Sequence, residues 1–402
     1  MNPTFNRSRA WRRTVVAAAA GLCLASAVMA QQSMGSINGR AAKGDSVSAE
    51  DKTIGVTRQI KLDADGSFQI SQLPPGTYTV TRTRANGTKE TTLVTVSPGE
   101  GATASFGGSQ VVQITGSAIR TIDARSTESA TNLSKAEIDR IPVTRNVTAV
   151  TLLAPGAVVG DSRIGQTTAR AGNVPSLGGA SPAENAYYVN GFNVTNILNG
   201  VAFSQVPFEA IADLSVKTGG YGAEYGRSLG GAVIVTTKRG TNEWQGGASV
   251  SYAPKSLRGS SVYPERNAST LEWELKERPG GVDDLTYNVF GGGPIIKDKL
   301  FVFGLVQGSK YTSETYGLSS QTKLKNNTPQ YLVKVDWNVT DRNIFELTAF
   351  SDKSEDKTES WTSTTPYKEP KGSFIGPSTA TSGGNNVVGK WTSLITDDLS
   401  IS

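Results

Sequence analysis

The side chains that most often carry out chemistry are nearly missing from these 402 residues, which contain no histidine and a single cysteine, Cys23. Without an imidazole there is no His-based acid–base catalysis and no usual His-containing zinc site. Asp63, Asp65 and Gly66 resemble the start of a calcium loop. The twelfth position from Asp63 is Pro74 rather than the bidentate Glu of an EF-type site, so a β-turn is expected. Neither Gly219-Gly220 nor Gly230-Gly231 is followed by the Lys-Ser/Thr step of a phosphate loop, and both read as turns. One run has a different capacity. Val111, Val112, Gln113, Ile114 and Thr115 form a short β-prone segment after Gly107-Gly108, with a polar stretch behind it. It can offer its backbone to a partner strand, or serve simply as the first strand of its own domain. The expectation is no catalytic residue, no metal site and no cofactor.

The elements around these residues begin with an address. Arg7, Arg9, Arg12 and Arg13 precede an uncharged apolar stretch from Val15 to Ala30 that ends Ala-Val-Met-Ala. This is the layout of a secretory signal peptide over residues 1–30. Leu22, bulky where a small residue is wanted, argues against a lipid anchor at Cys23. Removal of residues 1–30 leaves 36 basic against 35 acidic side chains and no cysteine. Disulfides and thiol chemistry are thereby excluded, and a nucleic-acid partner loses its electrostatic support. No apolar run reaches the ~20 residues of a transmembrane helix.

Behind the address lie three regions. Residues 31–108 read as short strands between Gly/Pro turns, with Phe68 and Ile70, then Tyr78 and Val80, on apolar faces. That spacing predicts a small antiparallel sandwich. Residues 109–243 mix short helices and strands. Ser134 and Glu137 form a capping box for a helix that Ile141-Pro142 must stop, and a second helical stretch runs from Val147 to Leu153. Strands are expected at 187–189, before the Asn190-Gly191 turn, and at 214–216 and 233–235, giving a loop-rich α+β domain.

In residues 244–402 alternation dominates. Tyr331, Val333, Val335, Trp337 and Val339 oppose Leu332, Lys334, Asp336 and Asn338, and Leu285, Tyr287 and Val289 repeat the theme. Segments of ~10 alternating residues flanked by aromatics are the mark of outer-membrane barrel strands. A tight turn at Lys297-Asp298-Lys299 and a long polar loop over residues 351–385 fit short turns on one side and long loops on the other. A soluble sandwich also alternates; the export signal, the lack of cysteine and the paired aromatics favour a barrel.

Asp65-Gly66-Ser67-Phe68 with Leu73-Pro74-Pro75-Gly76-Thr77-Tyr78 resembles the carboxypeptidase regulatory-like domain, a transthyretin-like β-sandwich without implied peptidase activity. The middle region resembles the plug of TonB-dependent outer-membrane receptors. The residues that carry this likeness are Pro155 and Gly156, Tyr187 and Tyr188, Asn190 and Gly191, Glu224, Tyr225 and Gly226, Gly230 and Gly231, and the run from Thr236 to Asn242. With the later Gly291–Lys299 run, the chain resembles the Oar-like subgroup. Two departures stand out: Asn190 replaces the common Asp, and Arg170-Ala171-Gly172 carries an extra residue in the usual Arg-Gly.

The resemblance implies a multidomain, mainly β protein: sandwich, α+β plug and the first strands of an antiparallel transmembrane barrel. It implies the outer membrane of a Gram-negative bacterium, with membrane lipid and the periplasmic protein TonB as partners. The imported ligand would be a siderophore or other metal chelate, a vitamin, a glycan or a peptide. Val111–Thr115 becomes the candidate TonB box, and the loops 161–182 and 193–204 become candidate ligand contacts. An adhesin or passive channel with a structural plug is the alternative. A secreted hydrolase is set aside, because no histidine and no acid pair in a recognisable motif are present. A plugged barrel of this class has 22 strands, about 220 residues of strand alone, whereas 244–402 supplies 159 residues and about six crossings. The reading frame is therefore expected to continue beyond Ser402, and these strands alone to form no pore.

Overall fold

A computed structural model describes residues 34–106, 128–161, 163–164, 173–201, 203–222, 225–267, 269, 271–369, 371–396 and 400–402. The signal-peptide segment, the run Val111–Thr115, the Arg170–Gly172 departure and Glu224 lie outside the described residues.

The N-terminal domain is a two-sheet sandwich. Gly66–Leu73, Gly35–Ala41 and Gly101–Ala104 form one sheet; Val56–Lys61, Ser46–Asp51, Gly76–Thr83 and Lys89–Val96 form the other. Alternate residues point inward, so Ile37, Val47, Ile70, Leu73, Tyr78 and Val80 fill one core. At the Asp63–Gly66 bend, the Asp65 carboxylate accepts the Lys43 backbone N–H at 2.6 Å, the role of a turn-forming aspartate.

The middle domain is a five-stranded sheet in the order Phe192–Asn193, Ala186–Val189, Ala232–Thr237, Ile211–Gly219, Ser129–Ser134. Ala186–Val189 and Ala232–Thr237 run parallel, and every residue of both is buried, as strands covered on two faces must be. The short helix Lys135–Ile138 starts where the Glu137 carboxylate accepts the Ser134 N–H at 2.8 Å. The helix Val147–Thr151 is capped by Asn146, whose side chain accepts from the Ala149 N–H at 2.7 Å.

Among the described residues the C-terminal region is a ten-stranded sheet that makes six passes and begins a seventh at Ser400–Ile401. Gln245–Ala253, Gly280–Ile296 and Leu300–Tyr316 are the first three. Each of the next three is interrupted: Ser320–Asn326 with Gln330–Thr340, Asn343–Ser351 with Ser354–Ser363, and Lys371–Ser382 with Asn385–Leu394. The polar segment 351–385 is thus strand rather than the expected loop. Its hairpin is held by ladder bonds, Trp361 packing 5.6 Å from Phe374, and Lys371 over the Trp361 ring. Among the described residues the sheet is not closed, with Gln245–Ala253 at one edge and Lys371–Ser382 and Ser400–Ile401 at the other.

One face of this sheet exposes Val250, Tyr252, Tyr287, Val289, Val306, Trp337 and Trp391; the opposite face buries Phe303, Leu305, Leu332 and Phe350 against the middle domain. An apolar outer band and an inner face packed on another domain are what a barrel wall requires. The inner residues share one core with Val147, Val150, Leu214, Val216, Val233 and Val235. No helix among the described residues is long and apolar enough to cross a membrane.

Candidate functional site

The buried strand Ala186–Val189 leads into a two-residue turn in which Asn190 (φ 50°) and Gly191 (φ 83°) are both left-handed, the requirement of a type I′ hairpin. The Asn190 amide donates to the hydroxyls of Thr237 (2.9 Å) and Thr348 (3.1 Å), and its carbonyl accepts the Thr237 N–H at 3.0 Å. Thr348 belongs to the wall, so the turn is fastened to it. Tyr188 packs edge-on to Tyr225, 5.6 Å between ring centroids.

Tyr187 supports the loop beyond this turn. Its N–H donates to the Thr195 hydroxyl at 2.8 Å, its carbonyl accepts the Val194 N–H at 2.8 Å, and its ring stacks on Phe203 at 4.0 Å. Burial pushes the Tyr187 hydroxyl pKa above its ordinary value, with the Asn185 hydrogen bond acting the other way. Above this base the loop is stiffened by three side-chain turns. Asn193, Asn196 and Asn199 accept from the N–H groups of Thr195, Leu198 and Val201 at 2.9, 2.8 and 3.0 Å. The result is a finger whose tip, Ile197 and Leu198, is 88% and 95% exposed.

The remaining motif residues build the scaffold. Gly156 (φ 77°) follows Pro155 in the turn after the second helix, and its carbonyl accepts the Gly178 N–H. A Cβ on Gly230 would lie 2.5 Å from Asn185 Oδ1, and one on Gly231 2.6 Å from Leu177 Cδ1. These glycines permit close packing. Gly226 lies in the turn after Tyr225, where Arg227 is left-handed (φ 62°).

Between the finger and the wall lies a cavity of about 1040 Å³. Phe192–Leu198 and Phe203–Val206 line one side; Ser251, Thr286, Asn288, Gln307 and Gln330 line the other. Of the two candidate loops, 193–204 borders the cavity, and the described residues of 161–182 do not. Three cations (Arg145, Arg258, Lys353) face three anions (Glu209, Asp284, Asp352). Arg145 pairs with Glu209, which Lys135 also approaches at 3.2 Å, and Asp352 accepts from the Gly384 N–H and the Asn386 amide. Nearby in the sheet, burial and the Glu137 charge push the Asp213 carboxyl up to about 6. Among the described residues no group of three His, Cys, Asp or Glu is placed to hold a metal ion.

The wall amides were not singled out in the sequence. Thr286 and Asn288 lie opposite the noted Leu285, Tyr287 and Val289, so the polar half of that alternation carried the signal.

Comparison with known proteins gives a consistent picture. Residues 35–107 match the model of the carboxypeptidase regulatory-like domain, and residues 123–233 that of the TonB-dependent receptor plug domain. Over 325 residues, 74% of this chain, the sequence is 29% identical to the TonB-dependent transporter Oar of Myxococcus xanthus. The match spans 28% of that relative's length. Similar solved structures include the outer membrane transporter YddB from Escherichia coli, with a TM-score of 0.42 and 15% identity over 66% of this chain and 44% of that one. Another is the siderophore receptor PirA from Acinetobacter baumannii, with a TM-score of 0.41 and 18% identity over 66% and 45%.

Proposed function

We propose that this chain, in which a carboxypeptidase regulatory-like domain precedes a TonB-dependent receptor plug and barrel strands, acts in the outer membrane as a receptor for TonB-energised import of a scarce ligand. The observation that carries this reading is the cavity between the preorganised finger and the wall, at the far side of the plug from the sandwich. The sandwich meets the short-turn end of the sheet: Asn242 contacts Lys52, and Asn338 contacts Ile54 beside the turn at Asp298. Short turns lie on the periplasmic side of such barrels, which supports a cavity that faces the outside.

Energy would enter through Val111–Thr115, pairing with TonB by backbone augmentation. The ends of the described chain around it are anchored. Phe106 packs on the sandwich core, and Glu128 pairs with Lys217 of the plug. A pull on the intervening segment would therefore load the plug's edge strand Ser129–Ser134 directly.

The test is deletion of residues 111–116 in the receptor, with solute depletion from a defined medium followed by mass spectrometry. Active import requires at least one solute taken up by intact cells and by neither deletion cells nor cells treated with a protonophore. Equal uptake in all three would establish a passive channel instead, and no uptake with unchanged surface attachment would establish an adhesin.

A further inference from the structure

We infer that the cavity ligand is a short uncharged peptide, bound through its amide groups by the wall and through an apolar side chain by the finger. This inference rests on the import reading and specifies its substrate class. Charge decides first against an anionic chelate. The six charged side chains around the cavity sum to zero, and the Arg145 and Asp352 charges are already engaged by Glu209 and by the Gly384–Asn386 groups. A polyanion entering here would meet as many lining carboxylates as lining cations, so the described lining does not favour it over a neutral ligand.

The wall provides carboxamides in place of charge. Each Asn or Gln presents an acceptor and two donors in one plane, the complement of a peptide unit's N–H and C=O. Gln307 and Gln330 stand opposite each other on paired strands, with the Gln307 amide donating to Gln330 Oε1 at 3.2 Å. Asn288, only 4% exposed, donates to the Ser249 hydroxyl at 2.9 Å while its Oδ1 has no partner in the protein. A buried acceptor without a partner is a standing penalty, relieved when the side chain turns toward a ligand N–H.

The finger supplies the apolar half. Adjacent Ile197 and Leu198, held outward by the Asn196 and Asn199 turns, expose aliphatic surface to the cavity. Covering them removes that surface from water. A sugar would call for open aromatic faces, and two of the three lining phenylalanines are occupied. Phe203 is stacked on Tyr187, and Phe208 lies beneath Lys135 and Arg145. A volume near 1040 Å³ is at the upper end of small-molecule sites and suits a peptide of a few residues.

The experiment uses outer membranes carrying the full-length receptor and three probes: an N-acetylated, C-amidated library of uncharged pentapeptides, a ferric tris-catecholate and maltopentaose. Retention is read by mass spectrometry for the wild type, for the Ile197→Asp/Leu198→Asp double variant and for Gln307→Glu. The exposed tip can change without disturbing the core. Expected is retention of a subset of peptides, lowered at least about tenfold by the double variant and several-fold by Gln307→Glu. Retention of the ferric chelate or the oligosaccharide with the same dependence on the finger would overturn the peptide assignment and leave import standing. Peptide retention equal in wild type and double variant would remove the cavity as the site. No retention of any probe would overturn the peptide assignment, with import judged by the uptake test above.

Discussion

Asn190 shows what a single substitution within a motif can do. Its φ of 50° needs a residue that tolerates the left-handed region, which Asp would also satisfy. The carboxamide, however, donates to Thr237 and Thr348 at once, and a carboxylate cannot donate. Asn190→Asp is therefore expected to keep the turn and loosen its attachment to the wall, lowering stability by about 1–2 kcal/mol, read as a drop in thermal midpoint. The turn was legible from Asn-Gly alone. The attachment was not, because Thr348 lies 158 residues away. Asp213 makes a pH-dependent prediction. Its carboxyl titrates near 6 in the fold against 3.8 when free, so the folded state binds the proton more tightly. Its contribution to stability is present at low pH and is lost as pH rises from about 4 to 6. Asp213→Asn is expected to flatten that stretch of the stability profile and to raise stability at pH 7 by about 1–2 kcal/mol. An unchanged slope between pH 4 and 6 would refute the assignment.

At the scale of elements, the plug and the wall are joined by charge as well as by packing. Arg239, just after the strand Ala232–Thr237, reaches the fully buried Asp336 at 3.2 Å; Lys334 lies 3.5 Å from both Asp336 and Glu346. Removing one partner of a buried pair strands the other. Arg239→Ala is expected to destabilise the plug–wall interface by about 3 kcal/mol, and adding Asp336→Asn to recover a substantial part. The two variants' denaturant midpoints measure this. Inside and outside of the wall were legible because strand alternation has a period of two, and Lys334 and Asp336 fell on the polar side of the Tyr331–Val339 pattern. The hairpin over 354–382 was hidden because neither of its faces is apolar: Ser354–Ser363 reads SEDKTESWTS. Its pairing rests on ladder bonds that composition does not reveal.

For the whole molecule, the central feature is how the sandwich docks. The turn Lys52–Gly55 fits a notch formed by Asn242, the Asp298 turn and Asn338, while the Arg58 guanidinium donates to the Asp341 carbonyl. Gly55 has a φ of 63°, and a Cβ there would stand 2.6 Å from the Asp298 Cα. Gly55→Asn, which tolerates this φ but brings a side chain against Asp298, is thus expected to undock the sandwich without unfolding it. The check is the yield of a short bis-maleimide cross-link between Thr53→Cys and Asn242→Cys, which should fall several-fold. Such complementarity between surfaces distant in sequence leaves no periodic trace, so the domain order was readable and the docking was not.

Lys217 ties this arrangement together. Its side chain is wholly buried, with its ammonium beside Glu128, 3.5 Å from the Gly99 carbonyl and 4.7 Å from the centre of the Tyr225 ring. Gly99 belongs to the sandwich, Glu128 immediately precedes the strand Ser129–Ser134, and Tyr225 belongs to the plug. An ammonium sheds its water only when its substitutes are all present. The sandwich thus supplies one of the groups around this buried ammonium, and the plug's interior is expected to become complete only once the sandwich has docked. Plug refolding should be slower when the sandwich is undocked by Gly55→Asn, and Lys217→Met should abolish that dependence. Equal refolding rates with and without docking would exclude such an order of assembly.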